Sequence, residues 1–172
     1  VSTDKNIAPE NVNTKAKPSE ASKNAIKEYL EKNGITTAPN LTQCFEADFD
    51  GDGKLEQIVA ANTPKNENYV PSFVEDGTKE TDGIGSYAVA LFVDDDGSAK
   101  PVFSEIRPFG GEENAYMHYN QNIVINGVYD INGDGNYDVC IVYADWENGH
   151  VLVSAMDEKG DYQTVLRGNF GA

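Results

Sequence analysis

Two nine-residue segments of the chain share one pattern of acidic residues and glycine. DFDGDGKLE begins at Asp48, and DINGDGNYD begins at Asp130. Each carries oxygen-bearing side chains at positions 1, 3, 5 and 9 and glycine at positions 4 and 6, and each leads into an apolar, β-prone run. We call 48–56 loop 1 and 130–138 loop 2. Because turn residues between β-prone runs are typical of hairpins, the repeat predicts two similar hairpins in one fold.

The spacing of these oxygens suits a hard cation. Alternating carboxylates on a tight loop can converge on one point, and Gly53 and Gly135 permit the turn that directs them. Ca²⁺ takes six to eight oxygen ligands at about 2.3–2.6 Å, and a backbone carbonyl at position 7 would add one more. Mg²⁺ fits less well because it keeps several waters and needs stricter octahedral geometry. The repeat therefore predicts two Ca²⁺ sites.

Two other interpretations of the loops are an EF-hand and a metal-free hairpin turn. An EF-hand needs an acid at position 12, where this chain has Val59 and Ile141, both in β-prone runs. The EF-hand interpretation therefore fails. A metal-free hairpin turn is possible for one copy, because Asp and Gly are turn residues. Two copies with identical spacing favour the metal site.

The segments DFDGDGKLEQIV and DINGDGNYDVCIV resemble the short calcium loops of FG-GAP and VCBS-type repeats. Those repeats occur in integrin-like β-propellers and in many exported bacterial proteins, where the loop joins two hairpin strands and binds Ca²⁺. Two loops are too few for a complete propeller, so the resemblance favours small exported proteins or lipoproteins with a compact β scaffold. Transferred by position, the implied ligands are Asp48, Asp50, Asp52, Lys54 through its carbonyl and Glu56, and then Asp130, Asn132, Asp134, Asn136 through its carbonyl and Asp138.

The rest of the chain predicts an α+β fold that is mostly antiparallel β, with an N-terminal helix and two calcium-loop hairpins. Residues 1–18 are polar and read as a flexible tether. Ser19 can cap a helix over 20–33 that Gly34 ends. Eight short β-prone runs then fill a β-rich body over 41–172, so that 19–172 form one domain, with a long loop at 63–85.

Composition narrows the function classes. A formal net charge of −16 argues against nucleic acid and against anionic lipid, and it favours bound divalent cations. No apolar run reaches the ~18 residues of a membrane span.

Cys44 and Cys140 allow either one disulfide or two buried thiols, and both alternatives stay open. A chain that starts at Val1 is typical of a processed, exported form, located outside the cell or on the cell envelope, and a lipid tether before residue 1 fits this interpretation.

No catalytic residue is predicted. His118 and His150 accompany no nucleophile motif, and Asp145 and Glu147 around Trp146 are typical of a solvated hairpin end.

Four aromatic residues can stack on sugars, anchor a protein partner, or belong to the core. They are Tyr116, Tyr119, Tyr143 and Trp146. The leading hypothesis is an exported bacterial calcium-binding protein, a non-catalytic binding or adhesion module with structural Ca²⁺ and an unidentified protein or glycan ligand. The alternative is a hydrolase or hydrolase-accessory domain that acts on polysaccharide or peptide.

Overall fold

The computed structural model describes residues 11–63, 86–107, 122–144 and 148–171. Within them, one helix precedes two four-stranded antiparallel sheets, in which the order of strands in space equals their order in the chain. This confirms the predicted α+β, mostly antiparallel β fold. The elements are α1 (Glu20–Lys32), β1 (Leu41–Ala47), β2 (Glu56–Asn62), β3 (Ser86–Val93), β4 (Ala99–Arg107), β5 (Asn122–Tyr129), β6 (Asp138–Ala144), β7 (Asn148–Met156) and β8 (Tyr162–Gly171).

The first sheet, β1–β4, is the middle layer of the molecule. Every residue of β2 is buried, because the side chains of successive strand residues point to opposite faces and both faces are covered. Ile58 and Ala60 face the second sheet, whereas Val59 and Ala61 face the helix. The three layers are therefore α1, the first sheet and the second sheet, with one apolar core on each side of the first sheet.

The helix is attached at its N-terminal end. The Ser19 hydroxyl accepts the Ser22 N–H at 3.1 Å, as expected for an N-cap. The side-chain oxygen of buried Gln57 in β2 accepts both the Ser19 N–H at 2.9 Å and the Ser22 hydroxyl at 2.7 Å. Ile26 and Leu30 then pack on the first sheet. The helix starts at the predicted residue and ends one residue earlier than predicted, at Lys32.

Within the described residues, the second sheet, β5–β8, is covered on one face. Its inner face supplies Ile123, Ile141 and Leu152 to the core between the sheets. On the other face Val124, Val142 and Val151 lie side by side in register, and Val124 and Val151 are exposed. The two sheets share a strand order but differ in their outer layer.

Two side-chain amides of the first sheet bind the free edge of β5. Asn62 donates to the Ile123 carbonyl at 3.0 Å and accepts the Ile123 N–H at 2.9 Å. Gln43 makes the same pair of bonds to Ile125, at 3.0 and 2.8 Å. Because an edge strand leaves every second N–H and C=O unpaired, these amides satisfy the outward groups of Ile123 and Ile125 and join the two sheets.

Other predictions fall partly outside the described residues. The part of the predicted tether that is described contacts the domain. Asn13 exchanges two backbone hydrogen bonds with Glu46, and Val12 packs on the core between the sheets. Residues 1–10, residues 64–85 of the predicted loop 63–85, and Trp146 lie outside the described residues. The described part of the chain contains no helix with the length and apolar composition of a membrane span.

Asn62→Ala tests the amide connection between the sheets. The change leaves the N–H and C=O of Ile123 without partners in a buried position, and each such group costs about 1–3 kcal/mol. We expect the free energy of unfolding to fall by about 2–4 kcal/mol in urea titrations. Asn126→Ala, at an exposed position of the same strand, should stay within ~0.5 kcal/mol of the unsubstituted protein. Equal effects of the two changes would contradict the proposed role of Asn62.

Candidate metal centre

Loop 1 joins β1 to β2, and loop 2 joins β5 to β6, so each loop occupies the first turn of its sheet. Both loops lead directly into strands, as the exclusion of an EF-hand requires. Gly53 and Gly135 at position 6 have φ of 90° and 96°, a conformation that side chains with a Cβ rarely adopt. The glycines thus have the backbone geometry that the sequence predicted for them.

The two loops share four hydrogen bonds at matching positions. In each loop, backbone N–H groups donate to the side-chain oxygens of positions 1, 3, 5 and 9, and these bonds set the orientation of the four side chains. The donors are Gly53, Asp52, Lys54 and Phe49 in loop 1 (3.0, 3.1, 2.8 and 2.8 Å) and Gly135, Asp134, Asn136 and Ile131 in loop 2 (3.2, 2.9, 2.8 and 2.9 Å).

Loop 1 brings its four carboxylates together. One oxygen each from Asp48, Asp50, Asp52 and Glu56 lies within 4.8 Å of the others, close enough to hold a metal ion. The Lys54 ammonium lies to the side, 2.9 Å from Asp95 and 3.5 Å from Asp52. The amine of Lys54 thus pairs with neighbouring acids, whereas only its carbonyl was predicted as a ligand.

The acids at position 9 are buried, and only one of the two carboxylate oxygens of each has a hydrogen-bond partner among the described residues. Glu56 is 1% exposed and Asp138 is 2% exposed. One oxygen of each accepts the N–H of position 2, at 2.8 and 2.9 Å. Glu56 Oε1 and Asp138 Oδ1, as well as Asp48 Oδ1, have no hydrogen-bond partner among the described residues. Because a buried, unpaired carboxylate oxygen is costly, an opposite charge near these three atoms would be favourable.

Burial and the neighbouring carboxylates raise the pKa values of the two acids at position 9. Burial raises the pKa of Glu56 to about 7, the Phe49 N–H opposes that rise, and the charges of Asp50, Asp48 and Asp52 add to it. Burial likewise raises the pKa of Asp138, with Asp134 and Asp130 adding to the rise. Without a cation, each loop therefore holds its innermost carboxylate in an environment that disfavours the ionised form.

Loop 2 differs from loop 1 at position 3, where Asn132 replaces an acid. The Asn132 amide oxygen accepts the Asp134 N–H at 2.9 Å, which sets the amide orientation. Its Nδ2 group then donates to Asp134 Oδ2 at 2.8 Å and occupies that oxygen. Within the described ranges, only loop 1 forms a compact group of three or more acids, cysteines or histidines. Loop 2 has one carboxylate fewer, and Asp138 supplies its unpaired buried oxygen.

The loops also contact each other. The Tyr137 N–H of loop 2 donates to the Phe49 carbonyl of loop 1 at 2.9 Å. The rings of Phe49 and Tyr137 meet edge to face, with centroids 6.1 Å apart. The spacing of the loops in the sequence did not predict this contact, because nothing in either loop alone indicates which surface the other occupies.

The remaining candidates contribute less to the site. His150 stacks on Tyr143 at 5.4 Å, and its Nδ1 lies 2.7 Å from Asn169 Oδ1. Cys44 and Cys140 are free thiols in different sheets, and no disulfide joins them in this structure. His118, Tyr116, Tyr119 and the segment Asp145, Trp146 and Glu147 lie outside the described residues.

Comparison of the chain with models of protein families, with curated proteins and with solved structures finds no match.

The raised pKa of Glu56 predicts how the metal-free protein responds to pH. The pKa of Glu56 is about 7 in the folded protein, above the usual value of 4.5, so the folded state binds this proton more tightly than the unfolded state. The resulting contribution of Glu56 to the free energy of unfolding is present below pH 4.5 and is lost as pH rises through 7. In EDTA, we expect the free energy of unfolding to fall between pH 5 and 8, by at most about 3 kcal/mol from this group. Urea titrations at several pH values measure it.

Glu56→Gln provides the comparison, because it keeps an oxygen for the Phe49 N–H and removes the charge. The stability of this variant in EDTA should fall less over pH 5–8 than that of the unsubstituted protein. Parallel profiles for the two proteins would show that Glu56 does not ionise unfavourably in the fold.

Proposed function

We propose that the chain is a non-catalytic calcium-binding module in which loop 1 and loop 2 each hold a structural Ca²⁺. The observation that carries the proposal is the pair of buried carboxylate oxygens, Glu56 Oε1 and Asp138 Oδ1, that lack a partner within the described residues. Both belong to loops in which backbone N–H groups donate to the side-chain oxygens of positions 1, 3 and 5. A cation is the partner that a carboxylate oxygen in such surroundings needs.

The donor chemistry favours Ca²⁺. The side chains available are carboxylates and one amide, all hard oxygen ligands, and neither loop contains histidine or cysteine. Ca²⁺ tolerates irregular coordination by six to eight oxygens, which suits loops that differ at position 3. The ligands are those of the sequence prediction, with the carbonyls of Lys54 and Asn136 completing each set.

The bound cation would neutralise charge where the strands begin. Glu56 is the first residue of β2 and Asp138 is the first residue of β6. Neutralising these carboxylates stabilises the starts of two strands that supply residues such as Ile58 and Ile141 to the core between the sheets. The role of Ca²⁺ is therefore structural, and the hairpins β1–β2 and β5–β6 are the parts that depend on it.

We further propose that the module is exported by a bacterium and acts in binding or adhesion outside the cell or on its envelope. The resemblance of both loops to FG-GAP and VCBS-type calcium loops supports this assignment. Sites that rely on a few loop ligands suit the extracellular medium, where a Kd of ~10⁻⁴–10⁻³ M is sufficient for occupancy. A protein or a glycan is the class of ligand we propose, and its identity is open to screening.

Calorimetric titration of EDTA-stripped protein with Ca²⁺ tests the calcium sites. We expect two ions per chain and a rise in the melting temperature. At a hundredfold excess over Kd, each occupied site adds about 2.7 kcal/mol to the free energy of unfolding. Mg²⁺ at the same concentration should produce a smaller shift, because it demands stricter geometry.

Substitutions assign the ions to the loops. Glu56→Gln and Asp138→Asn should each remove one strong site. Asp157→Asn should leave both sites, because Asp157 lies in the turn between β7 and β8 and accepts the N–H groups of Lys159 and Asp161. Absence of any Ca²⁺-dependent heat or melting shift up to millimolar Ca²⁺ would refute the proposed function.

A further inference from the structure

One peptide unit lies between the two predicted ion sites. The Tyr137 N–H donates to the Phe49 carbonyl at 2.9 Å, and the same peptide unit carries the carbonyl of Asn136, a predicted ligand in loop 2. The structure contains no cis peptide bond among the described residues, so this carbonyl points away from the N–H and from loop 1. A cation that binds the Asn136 carbonyl would polarise the peptide and strengthen its hydrogen bond to loop 1.

On the side of loop 1, Phe49 is connected in the same way. Its N–H donates to Glu56 Oε2 at 2.8 Å, while its carbonyl accepts the Tyr137 N–H. The next residue, Asp50, is itself a predicted ligand. If Ca²⁺ binding moves the Glu56 carboxylate or Asp50, the movement therefore reaches the Phe49 carbonyl, which accepts the Tyr137 N–H.

Side chains hold this connection in place. Phe49 is fully buried, and its ring meets Phe92 and Tyr137 edge to face, at 6.3 and 6.1 Å. The Tyr162 hydroxyl donates to the Tyr137 carbonyl at 3.2 Å. Tyr137 is thus fixed on both sides of its backbone, by loop 1 and by β8, and it has little freedom to absorb a movement of either loop.

A second contact brings the turns themselves together. A Cβ added to Gly51 of loop 1 would lie 3.9 Å from the Gly135 carbonyl of loop 2. Burial raises the pKa of Tyr162, and the charges of Asp138, Glu56 and Asp50 raise it further, so acids of both loops act on one buried hydroxyl. The loops therefore form one continuous region, although they belong to different sheets.

Two effects of opposite sign couple ions bound in such a region. Two cations repel each other, but salt screens exposed charges beyond about 8 Å at physiological ionic strength. If the first ion has already fixed the backbone of one residue, the second ion does not have to fix it again. The binding constant of the second ion then rises by roughly 5–30-fold. Since Phe49 and Tyr137 form a fixed connection, ordering of the exposed residues of one loop by the first ion also restrains the other loop. We expect this ordering effect to favour the second ion and to exceed the screened repulsion.

We propose that loop 1 and loop 2 form a single two-ion unit, in which Ca²⁺ in either loop raises the Ca²⁺ affinity of the other. This inference rests on the proposed function, since it requires that both loops bind Ca²⁺. It adds that the ions cooperate and that their joint binding tightens the contact between the two sheets. Thermodynamic linkage requires the effect to be equal in both directions.

Asp52→Asn and Asp134→Asn test the coupling. Each removes a charge at position 5 of one loop, at an exposed residue, and each keeps an oxygen for the N–H of position 7. The unchanged loop is then titrated with Ca²⁺ alone. The backbone amides of Gly53 and Gly135 report each loop separately by NMR, because each donates to position 1 of its own loop.

The unsubstituted protein should bind two ions with a Hill coefficient above 1. Asp134→Asn should weaken Ca²⁺ binding at loop 1 by at least fivefold, and Asp52→Asn should weaken loop 2 by the same factor. Asp157→Asn is the matched control, since Asp157 also accepts an N–H two residues on, from Lys159, and it should change neither affinity. Asn132→Ala gives a second disruption of loop 2 if Asp134→Asn does not fold.

The outcomes separate the two proposals. Two ions that bind with unchanged affinity in the single-loop variants would overturn the coupling and leave the calcium sites intact. Tighter Ca²⁺ binding by the unchanged loop of a single-loop variant than by the same loop of the unsubstituted protein would overturn it as well, because repulsion would then exceed ordering. No Ca²⁺ binding by either loop would refute the proposed function itself.

Discussion

An almost fully buried carboxylate begins β2, and another begins β6. Each gives one oxygen to a backbone N–H within its own loop and leaves the other without a partner among the described residues. Interior carboxylates of this kind are unfavourable when ionised unless an opposite charge meets them. The hairpins β1–β2 and β5–β6, from which both sheets continue, therefore depend on the surroundings of two oxygen atoms.

The rest of the fold places the two acidic loops side by side. Both sheets run in chain order, and the turn that opens each sheet carries an acidic loop. Small residues on the inner face of the first sheet, such as Ala60, Ala88 and Ala90, leave room for the larger side chains of the second. The amides of Gln43 and Asn62 hold the edge of β5 against the first sheet. The contact between Phe49 and Tyr137 is a consequence of this packing.

The local features were predictable from the sequence. The spacing of acids and glycines indicated both loops, Ser19 indicated the start of the helix, and short β-prone runs between turn residues indicated the strands. Gln43, Gln57 and Asn62 read as ordinary polar strand residues, yet their amides join elements that are distant in the chain. Their partners depend on tertiary packing, which periodicity does not encode. The contact between the loops escaped prediction for the same reason.

The edge of β5 carries a further consequence for solubility. NIVINGVY is a β-prone, uncharged segment without proline, the kind of strand that can recruit identical strands from other chains when its edge is open. Here the outward N–H and C=O groups of Ile123 and Ile125 are already bonded to side chains of the same molecule. Intermolecular strand addition at this edge must first displace Gln43 and Asn62, so the residues that join the sheets also protect the protein from aggregating through β5.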